Sequence, residues 1–113
     1  MAKNEMIPGT LGMLVLRVLQ PGALHGYAIA QRIHTLSNDL LQVEEGSLYP
    51  ALQRMLIKGW VQAEWGVSET NRKVRFYKLT AAGRKQLQSE MTDFDRVLQG
   101  IQARDRRASR ARR

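Results

Sequence analysis

The chain has 113 residues, of which 43% are hydrophobic and 25% are charged, which indicates one soluble globular domain large enough to bury a core. Its lack of cysteine excludes a disulfide framework and any zinc site made of thiolates. Eighteen Lys and Arg residues against ten Asp and Glu residues give a net charge of +8, which favours an anionic partner. No apolar run approaches the length of a membrane span and no secretory signal begins the chain, so the sequence predicts a cytoplasmic protein without a membrane partner.

The first predicted element is a helix that begins at Thr10, an N-cap placed directly after the turn Pro8-Gly9, and ends before Gln20-Pro21-Gly22. Apolar residues at helical spacing form its main inward side, namely Leu11, Leu14, Val15, Val18 and Leu19. Met13 and Leu16 lie on the opposite side, so this helix needs a covering element on both sides.

A second helix is predicted over residues 26–37, with His25 as the residue that caps its N-terminus. The turn that ends this helix is followed by residues 40–43, which form either a short strand or an extended link.

A third helix is predicted from Ser47, as its N-cap, to about Lys58, with Gly59 as the stop signal. Its inward face consists of Leu48, Ala51, Leu52, Met55 and Leu56. Its opposite face carries Ser47, Tyr49, Pro50, Gln53, Arg54 and Lys58. This mixture suits a DNA major groove, because Arg pairs with guanine, Gln pairs with adenine, and Tyr or Pro can contact a thymine methyl group.

A β-hairpin follows the third helix. Residues 61–65 alternate between apolar and polar side chains, residues 66–72 form a polar loop, and Lys73–Leu79 is the second strand. Which face of the second strand is buried stays open at this point, because Phe76 and Tyr77 point to opposite faces.

The last predicted element is a helix that Thr80 caps and that runs to about Ala103. The order of three helices, a hairpin and a long helix predicts an α+β, mostly helical chain with a winged helix-turn-helix. We assign residues 1–79 to the winged-helix DNA-binding domain, residues 80–103 to a C-terminal dimerisation helix, and residues 104–113 to a basic disordered tail.

The positive charge lies in the second half of the chain. Residues 1–46 carry 3 basic and 4 acidic side chains, whereas residues 47–80 carry 6 and 2 and residues 81–113 carry 9 and 4. The hairpin contributes Arg72, Lys73, Arg75 and Lys78. A basic wing beside a polar helix face is an arrangement that can straddle a DNA backbone, so double-stranded DNA is the predicted partner.

Three segments resemble the PadR family of bacterial transcriptional regulators. They are Leu24-His25-Gly26-Tyr27-Ala28-Ile29, Val43-Glu44-Glu45-Gly46-Ser47-Leu48-Tyr49-Pro50-Ala51-Leu52, and Tyr77-Lys78-Leu79-Thr80-Ala81-Ala82-Gly83-Arg84. The motif Gly46-Ser47-Leu48-Tyr49-Pro50 is the most specific of these, and the resemblance extends over residues 10–91. Because only one helix follows the wing, the chain is similar to the short subgroup of this family.

The resemblance implies a homodimeric repressor that binds an inverted-repeat operator through the third helix and the wing. By matching positions it places Ser47, Tyr49, Pro50, Gln53 and Arg54 in the DNA groove, and Asn71, Arg72 and Lys73 in the wing. Members of the family respond to phenolic acids or hydrophobic drugs, which implies a hydrophobic or aromatic small-molecule effector that the sequence does not identify. An effector pocket built from a larger C-terminal domain is not expected in the short subgroup.

The last helix carries a heptad stripe that predicts dimerisation. Its members are Leu87, Met91, Phe94, Leu98 and Ile101, at successive spacings of 4, 3, 4 and 3. A homodimer could bury this stripe together with Met13 and Leu16 of the first helix. The alternative is that the stripe folds back onto the winged helix of its own chain.

No catalytic residue, metal ligand or cofactor is predicted. His25 and His34 are nine residues apart and share no helix face, and Glu44-Glu45 point apart, so no convergent set of reactive groups forms. Trp60 and Trp65 either belong to the hairpin core or stack on a flat ligand at a dimer cleft.

Two other functions remain open at this stage: a winged-helix protein-interaction module whose basic tail binds nucleic acid non-specifically, and a ligand carrier whose winged helix is vestigial. A helix that docks a protein should expose an apolar stripe, whereas the third helix exposes Gln53 and Arg54. The sequence therefore favours a DNA-binding regulator.

Overall fold

The computed structural model describes residues 10–111, so the predicted turn at Pro8-Gly9 lies outside the described residues. The elements in chain order are α1 (Thr10–Val18), β1 (Leu24–His25), α2 (Gly26–Leu36), α3 (Glu45–Ile57), β2 (Val61–Val67), β3 (Lys73–Leu79) and α4 (Ala81–Ala111). This order confirms the predicted fold, which is an α+β, mostly helical winged helix-turn-helix followed by a long helix.

The core lies where α1, α2 and α3 meet the sheet and the beginning of α4. Its most deeply buried side chains are Val15, Leu16, Leu19, Ile29, Ile33, Leu48, Leu52 and Leu87. Helix α3 buries Leu48, Ala51, Leu52 and Met55, which follow the predicted inward spacing. Because these residues pack into the core, the opposite face of α3 points away from the core.

The sheet has three antiparallel strands in the order β1-β3-β2. The predicted hairpin is present, although β2 extends to Val67 and the loop is correspondingly shorter. The short strand β1 was not predicted; it pairs with β3 so that Leu24 lies opposite Tyr77 and His25 opposite Phe76. Residues 40–43 form a link and not a strand.

The two faces of β3 are now distinguishable. Tyr77 is 5% exposed and belongs to the core. Phe76 lies on the other face, where its ring makes an edge contact with the His25 ring at a centroid distance of 5.5 Å. The side of the sheet that carries Tyr77 is therefore the side that faces the helices.

Helix α3 begins earlier than predicted. Its N-cap is Glu44, whose carbonyl oxygen accepts hydrogen bonds from the backbone N–H groups of Ser47 and Leu48 at 3.0 and 2.9 Å. Ser47 is thus inside the first turn, and its prediction as the N-cap was wrong. The N-cap makes no side-chain hydrogen bond to the helix, but Glu45 in the first turn stabilises this end, because a carboxylate is favourable at the positive end of the helix dipole. At the other end Gly59 stops the helix as predicted, with a φ of +76°.

The end of α3 is fastened to the beginning of α4. The hydroxyl of Thr80 donates to the carbonyl of Gly59 at 2.6 Å and accepts from the backbone N–H of Gly83 at 3.0 Å. The N–H of Thr80 donates to the carbonyl of Trp60 at 3.1 Å. A Cβ atom on Gly83 would overlap that same carbonyl oxygen. We call these four residues the α3–α4 joint.

Helix α4 continues to Ala111, beyond the predicted end at Ala103. The expectation of a disordered tail is therefore wrong for residues 104–111, whereas Arg112 and Arg113 lie outside the described residues. Arginine and alanine favour helix, and cations are stabilising near a helix C-terminus, so this segment can extend the helix without packing. No helix within residues 10–111 combines the length and the apolar character needed to cross a bilayer.

Both apolar sides of α1 are covered by its own chain. This helix packs against α2 and α3 and also against α4. Leu16 is fully buried and Leu87 is 1% exposed, so neither has surface left to bury against a second chain. Their assignment to a dimer interface is corrected: both are core residues. Met13 is half-buried against the same core.

Candidate nucleic-acid interface

A groove separates α2 and α3 from the β2–β3 hairpin, which we call the wing. It has a cavity volume of about 1090 Å³. On the helix side it is lined by residues of α2 and by Glu45, Tyr49 and Gln53 of α3. On the wing side it is lined by Trp65 and by the segment from Ser68 to Arg75 with the exception of Asn71. The structure therefore brings five of the predicted DNA-binding residues to one groove, namely Tyr49, Gln53, Arg72, Lys73 and Arg75.

The other predicted residues of α3 lie beside the groove and not in its lining. Ser47, Pro50 and Arg54 are exposed and follow each other at helical spacing, so they form a stripe next to Tyr49 and Gln53. Lys58 follows at the C-terminal end of α3, where its ammonium group lies 4.8 Å from the centre of the Trp60 ring. The outward face of α3 thus offers two neighbouring polar stripes.

Tyr49 is fixed by its contact with the first turn of α2. A Cβ atom on Gly26 would lie 2.7 Å from the Tyr49 hydroxyl oxygen, so the ring occupies the space that a side chain would take. Burial, and after it the negative charge of Glu45 and the nearby Tyr77, raise the pKa of Tyr49 above its ordinary value. The phenol is therefore neutral at physiological pH and can donate a hydrogen bond.

The tip of the wing is a hydrogen-bonded turn. The N–H of Ser68 donates to the carbonyl of Arg72 at 2.8 Å, and the N–H of Asn71 donates to the carbonyl of Ser68 at 2.9 Å. Asn71 has a φ of +61°, in the left-handed region that Asn tolerates better than most side chains. This turn fixes the point at which Arg72 and Lys73 leave the loop.

Sequence reasoning missed part of the groove. Helix α2 contributes Tyr27, Gln31 and Arg32, and Tyr27 accepts a hydrogen bond from Gln31 at 2.8 Å. The apolar residues of α2 dominate its sequence pattern, and that pattern predicts core packing only. The polar and aromatic residues on the other side of α2, such as Tyr27, Gln31 and Arg32, are the signal from which its place in the groove could have been predicted.

Trp65 also lies in the groove. It is 62% exposed, so it does not belong to the hairpin core, where one of the two sequence interpretations placed it. Its cross-strand partner is Arg75, a register that follows from the extension of β2 to Val67. Trp60 differs, because it is half-buried against the core.

The lining of the groove carries both signs of charge. Its cations are Arg32, Arg72, Lys73 and Arg75, and its carboxylates are Glu45 and Glu69, which gives the lining a formal charge of +2. The cations are concentrated on the wing. A phosphate backbone would be attracted to the wing side of the groove more strongly than to the side formed by α3.

Apart from Leu87, the members of the predicted heptad stripe are exposed on α4. Phe94 is 57% exposed and Ile101 54%, and Met91 and Leu98 are also exposed. Val97 extends the patch and was not predicted. These exposed members therefore do not fold back onto the winged helix, and no side chain within residues 10–107 covers them.

The two histidines have structural partners. His25 accepts a hydrogen bond from the backbone N–H of Ala28 at 3.3 Å and is the N-cap of α2, as predicted. His34 lies 3.1 Å from the Asp39 carboxylate and 3.2 Å from the carbonyl of Leu41. In the part of the chain that the structure describes, no three side chains of the metal-binding types come together.

The sequence and the structure of this chain are similar to those of known transcriptional regulators. The family model described as the transcriptional regulator PadR-like family matches residues 15–89. An uncharacterized protein of Lysinibacillus sphaericus is 28% identical over 86% of this chain and 89% of its own length.

Among solved structures, a transcriptional regulator from Clostridium thermocellum has a TM-score of 0.75 and 25% identity, covering 82% of this chain and 87% of that one. Bacillus subtilis PadR in complex with operator DNA has a TM-score of 0.65 and 22% identity, covering 74% of this chain and 47% of that one, and at this identity it supports the fold alone. The family match spans well over half of the sequence, and the chain belongs to the PadR-like family of transcriptional regulators.

Proposed function

We propose that this protein is a homodimeric repressor that binds an inverted-repeat operator, in the bacterial cytoplasm, through α3 and the wing. The observation that carries the proposal is the groove itself. It places the polar side chains of α3 and the basic side chains of the wing on the same side of the molecule. Bacillus subtilis PadR, which has the same fold, has been solved in complex with operator DNA, and we extend that partner to this chain as part of the proposal.

The two sides of the groove suit different parts of a duplex. Arg54 and Gln53 are exposed on α3, and their side chains match the hydrogen-bonding edges of guanine and adenine. Lys73 and Arg72 lie at the wing tip, where a point charge suits a phosphate. We therefore assign sequence reading to α3 and backbone binding to the wing.

The exposed stripe on α4 supports a homodimer. Met91, Phe94, Leu98 and Ile101 form a continuous apolar line at heptad spacing, and within residues 10–107 no side chain of the same chain covers it. To reach two successive major grooves, the two-fold axis of such a dimer has to set the two α3 helices about 34 Å apart, the repeat of one DNA turn. Such a dimer requires an inverted-repeat site.

Binding of a duplex from the protein's own upstream region should be compared with binding of a scrambled duplex at two salt concentrations. Arg54→Ala should lower affinity for the specific duplex by ~1–3 kcal/mol and reduce the preference at one base step. Lys73→Ala should weaken both duplexes alike and reduce the salt slope by about one unit. Arg17→Ala is the matched control, because Arg17 is an exposed arginine of α1 that belongs neither to α3 nor to the wing.

Equal affinity of the wild-type protein for the specific and scrambled duplexes would contradict sequence-specific binding. It would favour the alternative function, a winged-helix module that docks a protein and binds nucleic acid through its basic C-terminal segment. A loss with Arg54→Ala that is the same on both duplexes would reassign Arg54 to a phosphate.

A further inference from the structure

Trp65 is a large aromatic residue that the fold leaves mostly exposed to solvent. Along β2 it follows Val61 and Ala63 on the side of the sheet that faces the helices. Val61 is buried and Ala63 is half-buried, whereas Trp65 is 62% exposed, because the strand has by then passed beyond the core. An indole at this place contributes little to core packing, and it lies instead in the lining of the groove.

Two cations of the wing lie over the Trp65 ring. The ammonium nitrogen of Lys73 is 5.1 Å from the ring centre, and the guanidinium carbon of Arg75 is 5.9 Å from it. Arg75 is also 5.9 Å from the centre of the Tyr77 ring. These distances lie within the range in which an aromatic face attracts a cation, and tryptophan is the best of the three aromatic types for this contact.

These aromatic contacts leave the hydrogen-bonding capacity of the cations free. A cation–π contact uses the charge of the cation and none of its N–H groups as hydrogen-bond donors to oxygen. Among the side chains that the structure describes, neither Lys73 nor Arg75 is within ion-pair distance of a carboxylate. Both cations are therefore held in place while their donors stay available to an anion in the groove.

We infer that Trp65 is a positioning residue of the DNA interface, which holds Lys73 and Arg75 against the sugar–phosphate strand lying in the groove between α3 and the wing. The inference rests on the proposed function, since it names which part of the duplex enters the groove and which residue orients the groups that bind it. Long basic side chains lose much conformational freedom on binding. A cation already restrained by the indole loses less, so the duplex binds more tightly.

The test compares Trp65→Leu, which removes the aromatic face, with Trp65→Phe, which keeps a weaker one. Trp65→Leu should weaken the specific and the scrambled duplex alike, by about three- to ten-fold, the size expected for one or two exposed cation–π contacts. The salt slope should be unchanged, because both cations and their released counterions remain. Trp65→Phe should recover part of the loss.

The double variant Lys73→Ala/Arg75→Ala separates positioning from a general structural role. In that background, Trp65→Leu should cause no further loss of affinity, since no cation is left to hold. The inference is overturned if Trp65→Leu binds both duplexes as tightly as the wild type, or if it causes the full loss in the double-variant background. A wild-type protein that binds no duplex would instead overturn the proposed function.

Fluorescence gives a second measurement that does not depend on affinity. Trp60→Phe leaves Trp65 as the single tryptophan of the chain. Iodide, an anion, should quench Trp65 strongly in the free protein because two cations lie beside the indole, and a bound duplex should remove that quenching. Quenching of Trp65 that a saturating duplex leaves unchanged would show that the strand does not enter the groove, and would overturn the inference.

Discussion

Phe94→Asp should convert the protein into a folded monomer. Phe94 keeps 57% of its surface exposed within the single chain, which is about 110 Å² of the roughly 200 Å² that an aromatic side chain offers. At about 25 cal/mol per Å², the two copies of Phe94 contribute at most about 5–6 kcal/mol to a two-fold dimer. Since 1.4 kcal/mol is a factor of ten, losing half of this contribution raises the dimer dissociation constant about 100-fold.

Sedimentation equilibrium over a range of protein concentrations measures this constant, and circular dichroism checks that α4 stays helical. Thr92→Asp is the matched control, because it adds the same charge to an exposed position two residues away, on the opposite side of the helix. Thr92→Asp should remain dimeric. A Phe94→Asp protein that sediments as the wild type, or an equal dissociation of both variants, would refute the assignment of the stripe to the interface.

Three other expectations concern the joint and the basic end of α4. Gly83→Ala should lower the free energy of unfolding by about 2 kcal/mol or more, because its Cβ meets a backbone oxygen that cannot move aside. Gly100→Ala, with open space around it, should instead raise the free energy of unfolding by up to ~1 kcal/mol. Urea titration of both variants measures the difference. Thr80→Val should lower the free energy of unfolding by ~1 kcal/mol in the same titration, because it removes the hydroxyl that caps α4. Thr80→Ser, which keeps the hydroxyl, should recover most of this loss. Removal of residues 104–113, which carry six arginines and one aspartate, should weaken specific and scrambled duplexes alike and reduce the salt slope, whereas an unchanged slope would show that this segment does not touch DNA.

Patterns confined to one element were enough to predict much of the fold. The strand Lys73–Leu79 and the inward face of α3 agree with the structure because alternation and helical spacing directly report which side chains are buried. The cap at His25 was predictable for a similar reason, since capping is decided by a neighbouring turn.

Features that depend on distant partners were not predictable in this way. The two-residue strand β1 has no period of its own and exists because β3 offers it a pairing edge. The pattern of α1 showed correctly that both of its sides are apolar, but it could not show that the second side is covered by α4 of the same chain. Leu16 and Leu87 were consequently assigned to the wrong environment.

The groove was predicted only in part for the same reason. Tyr49 and Gln53 belong to one periodic helix, so their common outward direction could be derived. The exposure of Trp65 depends on how far β2 extends past the core, a length that is set by the tertiary packing. The alternation of apolar and polar residues in the hairpin does not show whether Trp65 still lies in the core or just beyond its edge.

The α3–α4 joint has a consequence for the choice of operator. Hydrogen bonds to backbone carbonyls and a close glycine contact connect the end of α3, the helix proposed to read DNA, to the beginning of α4, the helix proposed to dimerise. Inserting one base pair between half-sites moves them apart by about 3.4 Å and rotates them by about 35° around the duplex axis. The hydrogen bonds and the glycine contact of the joint do not let α3 rotate relative to α4 by such an angle. We therefore expect the protein to accept a single spacing between half-sites, in contrast to regulators whose reading and dimerising elements are joined by a flexible linker and which accept several.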